Sequence, residues 1–319
     1  MKFDLFNISD DRIERFLYEN GFENKFSIIK KTYYKAARPI MPLSVRHYLQ
    51  DRASRRVKLK DNFIWNELVN IVKEKKTDWN IYPDRKHAAV VLTHDVDTQE
   101  GFDNIPEVLM LEQELGFKSS WNIVPYKYKI DQGIIDLING AGHEIGIHGY
   151  NHDGKLFYSE KIFDERVPYI NEAIDKYGAK GFRAPMVHRN LRWLQKLNIE
   201  YDASCFDYDP YQPFPGGTGS IWPFRAGKFI ELPYTLPQDH DLFYMMKKND
   251  IEIWKKKTEW LIENHGVILL ITHPDYLISK YIELYKEFLY VLKEKENLWY
   301  VLPKDISEYW KEKYYKKLQ

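Results

Sequence analysis

Ala88-Ala-Val-Val-Leu92 runs straight into Thr93-His-Asp-Val-Asp97, and the reading of this stretch decides the fold. A short, wholly apolar run is a strand buried on both faces, as in a parallel sheet. Titratable residues crowd its carboxyl end. The same pattern recurs three times: Glu144–Ile147 leads into His148-Gly-Tyr-Asn-His152, Gly181-Phe182 delivers Arg183-Ala-Pro185, and Val267–Ile271 ends in Thr272-His-Pro-Asp275. Further strand-like runs are Ser120–Val124, Glu200–Ala203, Phe229–Leu232 and Leu298–Val301.

Helical stretches separate these runs: Pro106–Leu115, Gly133–Gly140, Glu160–Tyr177, Leu191–Leu197, Ile251–Asn264, Tyr281–Lys293 and Lys304–Lys316. Alternation of buried strands with helices predicts a parallel α/β architecture, and seven or eight such units over roughly 230 residues fit a distorted (β/α)7–8 barrel. An open doubly wound sheet is the alternative. No GxGxxG or Walker loop follows any strand, so dinucleotide and P-loop chemistry have no support. Before residue 85 the pattern changes to the amphipathic segments Asp10–Glu19, Lys25–Lys35 and Phe63–Lys75. The expected organisation is a mainly helical N-terminal extension, 1–85, followed by the barrel, 86–319.

Composition narrows the function. The 319 residues carry 47 basic and 47 acidic side chains, so no global charge favours nucleic acid or a membrane surface. Residues 1–85 hold 18 basic against 12 acidic groups, and six of the basic ones fall in Arg46–Lys60 beside the single acid Asp51. That stretch suits a pyrophosphate or an anionic membrane surface; a solvated helix face explains it as well. One cysteine, Cys205, excludes an intrachain disulfide and fits a reducing compartment. The start MKFDLFNISDDR has no apolar core, and no run approaches the roughly 18 apolar residues of a membrane span. The expectation is a soluble, cytoplasmic protein.

In a parallel barrel the carboxyl ends of all strands open on one face, so distant segments converge there. His148 and His152 are four apart; on a helical turn both imidazoles point one way and can chelate an ion. Alone, such a pair is more often a surface feature. Asp95 or Asp97 supplies a third ligand, and two histidines with a carboxylate make a site open to water and substrate. The other aspartate is then a candidate base. Arg183 is placed to hold a carboxylate through a bidentate pair, or is a surface salt bridge. His273 suits a general acid on the active face, and elsewhere is a structural histidine. His94 alternates with Asp95 and is expected to point away from the pocket. His143 is expected to bond within its turn, and His188 and His240 to make loop contacts.

These residues, in this order, resemble the polysaccharide deacetylases with a NodB homology domain, carbohydrate esterase family 4. Thr93-His-Asp-Val-Asp97 is similar to the family's Thr-Phe-Asp-Asp-Gly motif, Gly142-His-Glu-Ile-Gly-Ile-His148-Gly-Tyr-Asn-His152 to its His-x-x-x-His motif, Arg183-Ala-Pro185-Met-Val-His188-Arg-Asn190 to Arg-x-Pro-Tyr-Gly-x-x-Asn, and Leu270-Ile-Thr-His273 to Leu-x-x-His. The resemblance spans about residues 88–275 and implies a NodB-like barrel. It implies that His148 and His152 bind one divalent metal ion, usually zinc, that Asp95 is the base, that Arg183 orients it and that His273 is the acid. The family's metal-binding aspartate is adjacent to the base, where this chain has Val96; an Asp-Val-Asp variant puts Asp97 on the metal. Met186 and Val187 replace the usual Tyr-Gly, leaving the Met186 N–H as a possible oxyanion donor.

The activity so implied is metal-dependent removal of an N-acetyl group from an acetamido sugar. Without an export signal, the expected substrate is a nucleotide- or lipid-linked precursor of a surface polysaccharide. The THDVD, LPQDH (Leu236–His240) and THPDY (Thr272–Tyr276) signatures resemble a branch associated with O-antigen synthesis. Met186, His188 and the loop aromatic Trp222 are the expected substrate contacts. Peripheral membrane contact is compatible with this; a nucleic-acid partner is not expected. The rival readings are an amidase on a small non-carbohydrate amide and a catalytically silent carbohydrate-binding protein.

Overall fold

The computed structural model describes residues 1–21, 27–37 and 63–315, with 40–42, 45, 49 and 52 between them. The basic stretch 46–60 therefore lies outside the described residues, apart from Leu49 and Arg52.

Among the described residues ten strands form one curled sheet: β1 (Phe3–Asp4), β2 (Ala88–Val96), β3 (Ser119–Ile123), β4 (Glu144–Ile147), β5 (Gly181–Phe182), β6 (Tyr201–Asp202), β7 (Phe224–Ala226), β8 (Phe229–Glu231), β9 (Val267–Thr272) and β10 (Leu298–Tyr300). The order runs β1-β7-β8-β6-β5-β4-β3-β2-β10, with β9 also on β2. Among the pairings of these described strands, β1–β7 and β7–β8 are antiparallel and the rest are parallel. Seven parallel strands, β2, β3, β4, β5, β6, β8 and β9, make the distorted barrel that the alternation of strands and helices predicts. Closure between β8 and β9 is irregular. The Thr235 and Leu236 amides donate to Leu269 O at 3.1 Å, and the Thr235 hydroxyl donates to Val267 O at 2.6 Å.

β2 is the centre of the design. Leu92–Val96 pair with β3, while Ala89–His94 pair with β9 and Ala88–Val90 with β10. Leu92, Thr93 and His94 carry both β3 and β9, and Ala89 and Val90 carry both β9 and β10. The β3 and β10 ladders thus share one edge, and β9 holds the other. All nine residues are buried, which is why the sequence reads as apolar without alternation. The strand extends past Leu92, so Thr93, His94 and Asp95 lie within it rather than after it.

Helices α1 (Asp11–Gly21), α2 (Glu67–Lys75), α3 (Ile105–Leu115), α4 (Gln132–Gly140), α5 (Glu160–Tyr177), α6 (Glu252–Glu263), α7 (Ile282–Lys293) and α8 (Pro303–Tyr315) are packed around the sheet. α5 shows how the sequence sets an element. Ser159 caps its start by accepting from the Ile162 amide, and Gly178, at φ 62°, ends it in a left-handed turn. Four tryptophans anchor the core: Trp121, Trp222, Trp254 and Trp310 are all fully buried. Phe3, Leu5, Phe6, Ile13 and Leu17 share the same core cluster as the barrel residues. No helix among the described residues is long and apolar enough to cross a membrane.

Candidate active site

Strand pleating sorts the Thr93–Asp97 segment by face. Thr93 and Asp95 point into the barrel, where both meet Arg183; His94 points outward, stacked on Trp121 with its Nε2 2.9 Å from Glu112 Oε1. Asp97 follows the strand, its amide donating to Asp275 Oδ2 at 3.2 Å; Thr98 donates its hydroxyl to the same carboxylate. The loop is thereby clamped.

His148 and His152 converge without a helix. The segment is a turn in which Gly149 takes φ 70° and His152 φ 56°. A Cβ on Gly149 would lie 2.4 Å from Pro185, so only glycine fits here. His148 Nδ1 sits 3.0 Å from Arg183 O; since a carbonyl only accepts, Nδ1 bears the proton and Nε2 is left as a lone pair. Asp97 Oδ1 lies 3.3 Å from His148 Nε2 and 3.1 Å from His152 Nε2. These three donor atoms lie within 4.8 Å of one another. Asp97 Oδ1 is buried without a hydrogen-bond donor. Two imidazole nitrogens and one orphaned carboxylate oxygen aimed at a common point fit a divalent cation.

Asp95 is held differently. Its Oδ1 accepts from Arg183 Nη1 at 3.0 Å and Asn122 Nδ2 at 2.8 Å, while Oδ2 faces the donor set, 3.8 Å from His148 Nε2. Burial alone would raise its pKa; nearby Arg183, His148 and His273 and the Asn122 bond outweigh this and hold it below its ordinary value. Burial likewise works against Asp97, yet His152 and His148 hold it well below the usual carboxylate range. Arg183 is fully buried, donating Nε to Ala203 O and Nη1 to both Thr93 and Asp95. The contact with Asp95 is therefore through one nitrogen, not the bidentate pair expected, and Nη2 is buried without an acceptor.

Across the mouth stands His273. Asp239 grips it twice, accepting the His273 amide at Oδ2 (2.6 Å) and facing Nδ1 with Oδ1 (2.7 Å). Burial would lower its pKa, but Asp239, with Asp97 and Asp95 behind it, pushes it up to about 10. The sequence places Asp239 inside the LPQDH signature without giving it a role, and it gives no sign of Asn122, which bonds Asp95. Asp239 lies in the Leu236–His240 segment beyond the end of β8, where no periodic pattern marks it.

Of the expected substrate contacts, Met186 and His188 follow Arg183 beyond the end of β5. Met186 (φ 57°) and Val187 (φ 45°) are consecutive non-glycine residues in the left-handed region, in the turn that follows Arg183. Such a conformation costs a β-branched residue on the order of 1 kcal/mol or more and is characteristic of functional sites. His188 is buried, edge-on to the Phe214 ring at 5.3 Å, and lines a depression with His152, Pro185, Tyr150 and Arg166. Trp222 is elsewhere. It is fully buried against Phe6 and Trp79, and its Nε1 donates to His265 O before β9 begins, whereas His273 follows the end of β9. The length of β9, about 20 Å, separates it from the mouth. His143 bonds outside its own turn, accepting the Ser119 amide at Nδ1, and His240 stacks on Tyr244.

No protein-family model matches the chain, and no curated protein sequence matches it. By structure it is similar to a polysaccharide deacetylase from Mycobacterium smegmatis, with 18% identity over 73% of this chain and 93% of that one at a TM-score of 0.59. An allantoinase matches with 14% identity over 80% of this chain and 98% of that one, also at 0.59. A polysaccharide deacetylase from Pseudomonas aeruginosa PAO1 matches with 13% identity over 78% and 98% at 0.57. The fold of this chain is that of the NodB-like polysaccharide deacetylases, a distorted (β/α) barrel.

Proposed function

We propose that the protein is a metal-dependent N-deacetylase acting on an acetamido sugar. One observation carries this: Asp97, His148 and His152 aim three donor atoms at one point, between a carboxylate pinned by arginine (Asp95–Arg183) and an imidazole pinned by a carboxylate (His273–Asp239). A base, an acid and an ion site at one mouth is the set that amide hydrolysis needs.

Asp97, His148 and His152 would hold the ion. A bound divalent ion, zinc by donor type, would supply Lewis acidity toward the acetyl carbonyl and toward water. Asp95, ionised, takes the proton of the attacking water through its free Oδ2. Arg183 and Asn122 keep that carboxylate charged and fixed. The Met186 N–H offers a hydrogen bond to the developing oxyanion. His273, held as a cation by Asp239, protonates the departing sugar nitrogen, so that acetate and a free amine leave. His188 borders the sugar. The compartment is proposed to be the cytoplasm and the substrate a nucleotide- or lipid-linked precursor. The basic stretch within residues 1–85 is proposed as a contact for a pyrophosphate or an anionic membrane surface.

A second reading, hydrolysis of a small non-carbohydrate amide, is favoured by the likeness to an allantoinase over 80% of the chain. The test is metal content on protein purified without chelator or affinity nickel, with acetate release from acetylated nucleotide sugars. One tightly held ion, lost in both Asp97→Ala and His148→Ala, with acetate released only by the loaded wild type, is the expected result. Loss in His148→Ala but not Asp97→Ala would make Asp95 the ligand and remove it as base. A loaded protein that opens cyclic amides and releases no acetate would establish the second reading instead.

A further inference from the structure

Residues 25–60 carry eleven lysines and arginines against one acid, Asp51, whereas the rest of the chain is acidic on balance. The same segment holds a second anomaly. Among the described residues, the well-exposed isoleucine, leucine and valine side chains are Ile28, Ile29, Ile40, Val45, Leu49 and Leu137, and five of these six fall between 28 and 49. The three isoleucines stand out most, at 83%, 82% and 84% exposed. Single apolar side chains on a surface need no explanation, but a concentration of bare aliphatics within a cationic segment marks a contact surface.

The turn that carries the first two is tied to the barrel. Ser27 caps the short helix Ile28–Thr32 by accepting the Lys30 amide at 3.3 Å, and the Thr32 hydroxyl donates to Ile28 O at 3.0 Å. Lys30 reaches the other way: its Nζ lies 3.6 Å from the Phe214 ring centroid and donates to Pro213 O. Phe214 meets His188 at 5.3 Å. Ile28 and Ile29 therefore stand on a turn that two contacts, Lys30–Phe214 and Phe214–His188, join to the depression lined by His188 and His152.

Several anionic partners would account for the charge, and the isoleucines discriminate among them. A pyrophosphate satisfies lysine and arginine but offers nothing to a bare aliphatic side chain. The boundary of an anionic bilayer offers both, with acidic headgroups outside and acyl chains about 5–10 Å deeper. We propose that Ile28, Ile29, Ile40, Val45 and Leu49 seat the protein on an anionic membrane surface, the surrounding cationic sequence supplying the attraction, so that the substrate is the lipid-linked form. The choice of substrate rests on the deacetylase reading; the docking does not.

The test is co-sedimentation of the full-length protein with vesicles of phosphatidylcholine alone or with roughly a third phosphatidylglycerol, beside acetate release from a soluble acetylated sugar. Anionic vesicles are expected to bind at least about tenfold more tightly than neutral ones, and rising salt to weaken that binding. The double variant Ile28→Ser with Ile29→Ser should lose roughly tenfold in vesicle affinity, its circular dichroism spectrum unchanged because both side chains are already in water. Leu137→Ser, at the exposed aliphatic of α4, should bind as the wild type does. Equal binding to both vesicles, or undiminished binding by the double variant, overturns the docking. So does pyrophosphate binding by isothermal titration without sedimentation, and so does a wild-type dimer that the double variant breaks while no vesicle is bound. Docking without acetate release leaves the surface standing and overturns the deacetylase reading; acetate release without docking does the reverse.

Discussion

His273 shows how far one neighbour can set a side chain's chemistry. With Asp239 beside it the imidazole is pushed up to about 10 against its ordinary 6.5. A folded-state pKa above the unfolded one means that the stability this pair contributes is full below about 6.5 and is lost as pH rises through about 10. A divalent ion beside Asp97 adds positive charge and draws the value down from there. Asp239→Asn removes the main raising charge. The alkaline limb of the kcat–pH profile is expected to move to lower pH, with kcat at pH 8 down by roughly a hundredfold or more. A profile whose alkaline limb stays in place would show that Asp239 does not hold the proton on His273.

At the scale of elements, the short edge pieces matter more than their length suggests. β1 and β7 contribute two and three residues, yet β7 covers the outer edge of β8 and β1 covers that of β7, with Phe3 packed on Phe224 and Phe6 on Trp222. Phe6 is 7% exposed and touches Trp222, Trp310 and Tyr314. Phe6→Ala is expected to cost about 3–5 kcal/mol in urea unfolding, because the flanking rings cannot collapse into the space. A loss under about 1 kcal/mol would mean that the N-terminal strand is not part of the cooperative unit.

The same elements mark where the sequence could be read. The parallel strands were legible because the sequence around them reads as short, largely apolar runs between helical stretches, and their polar ends placed Asp95, Asp97, His148, His152, Arg183 and His273 together by topology alone. β1 and β7 are too short to carry a period, so both went unseen. Trp222 was misplaced because a tryptophan between glycines, serine and proline reads as a loop, whereas its burial depends on Phe6, which only the β1 pairing brings there. The His148–His152 turn imitated a helix by spacing while Gly149 and His152 adopt left-handed backbone. Asp239 needed the tertiary contact with His273, which no spacing encodes.

For the whole molecule, the proposed ion is a ligand of the folded state alone. Its donors come from the ends of β2 and β4, and an unfolded chain has no such cluster. At a hundredfold excess over its Kd, zinc is expected to add about 2.7 kcal/mol to unfolding, reversed by chelator and absent in Asp97→Ala. Equal unfolding midpoints with zinc and with chelator would exclude the metal site.

The place of β9 has a consequence for synthesis. Val267 pairs with Ala89, and the β9 edge is one of only two that β2 has. A ribosome adding about 5–20 residues per second leaves Ala88–Leu92 with that edge open for on the order of ten seconds or more, while the intervening strands and helices are already made. The nascent protein thus presents an apolar, hydrogen-bond-hungry ribbon to the cell until nearly all of it has emerged, which makes it a natural client for a holding chaperone and ties its yield to the speed of translation.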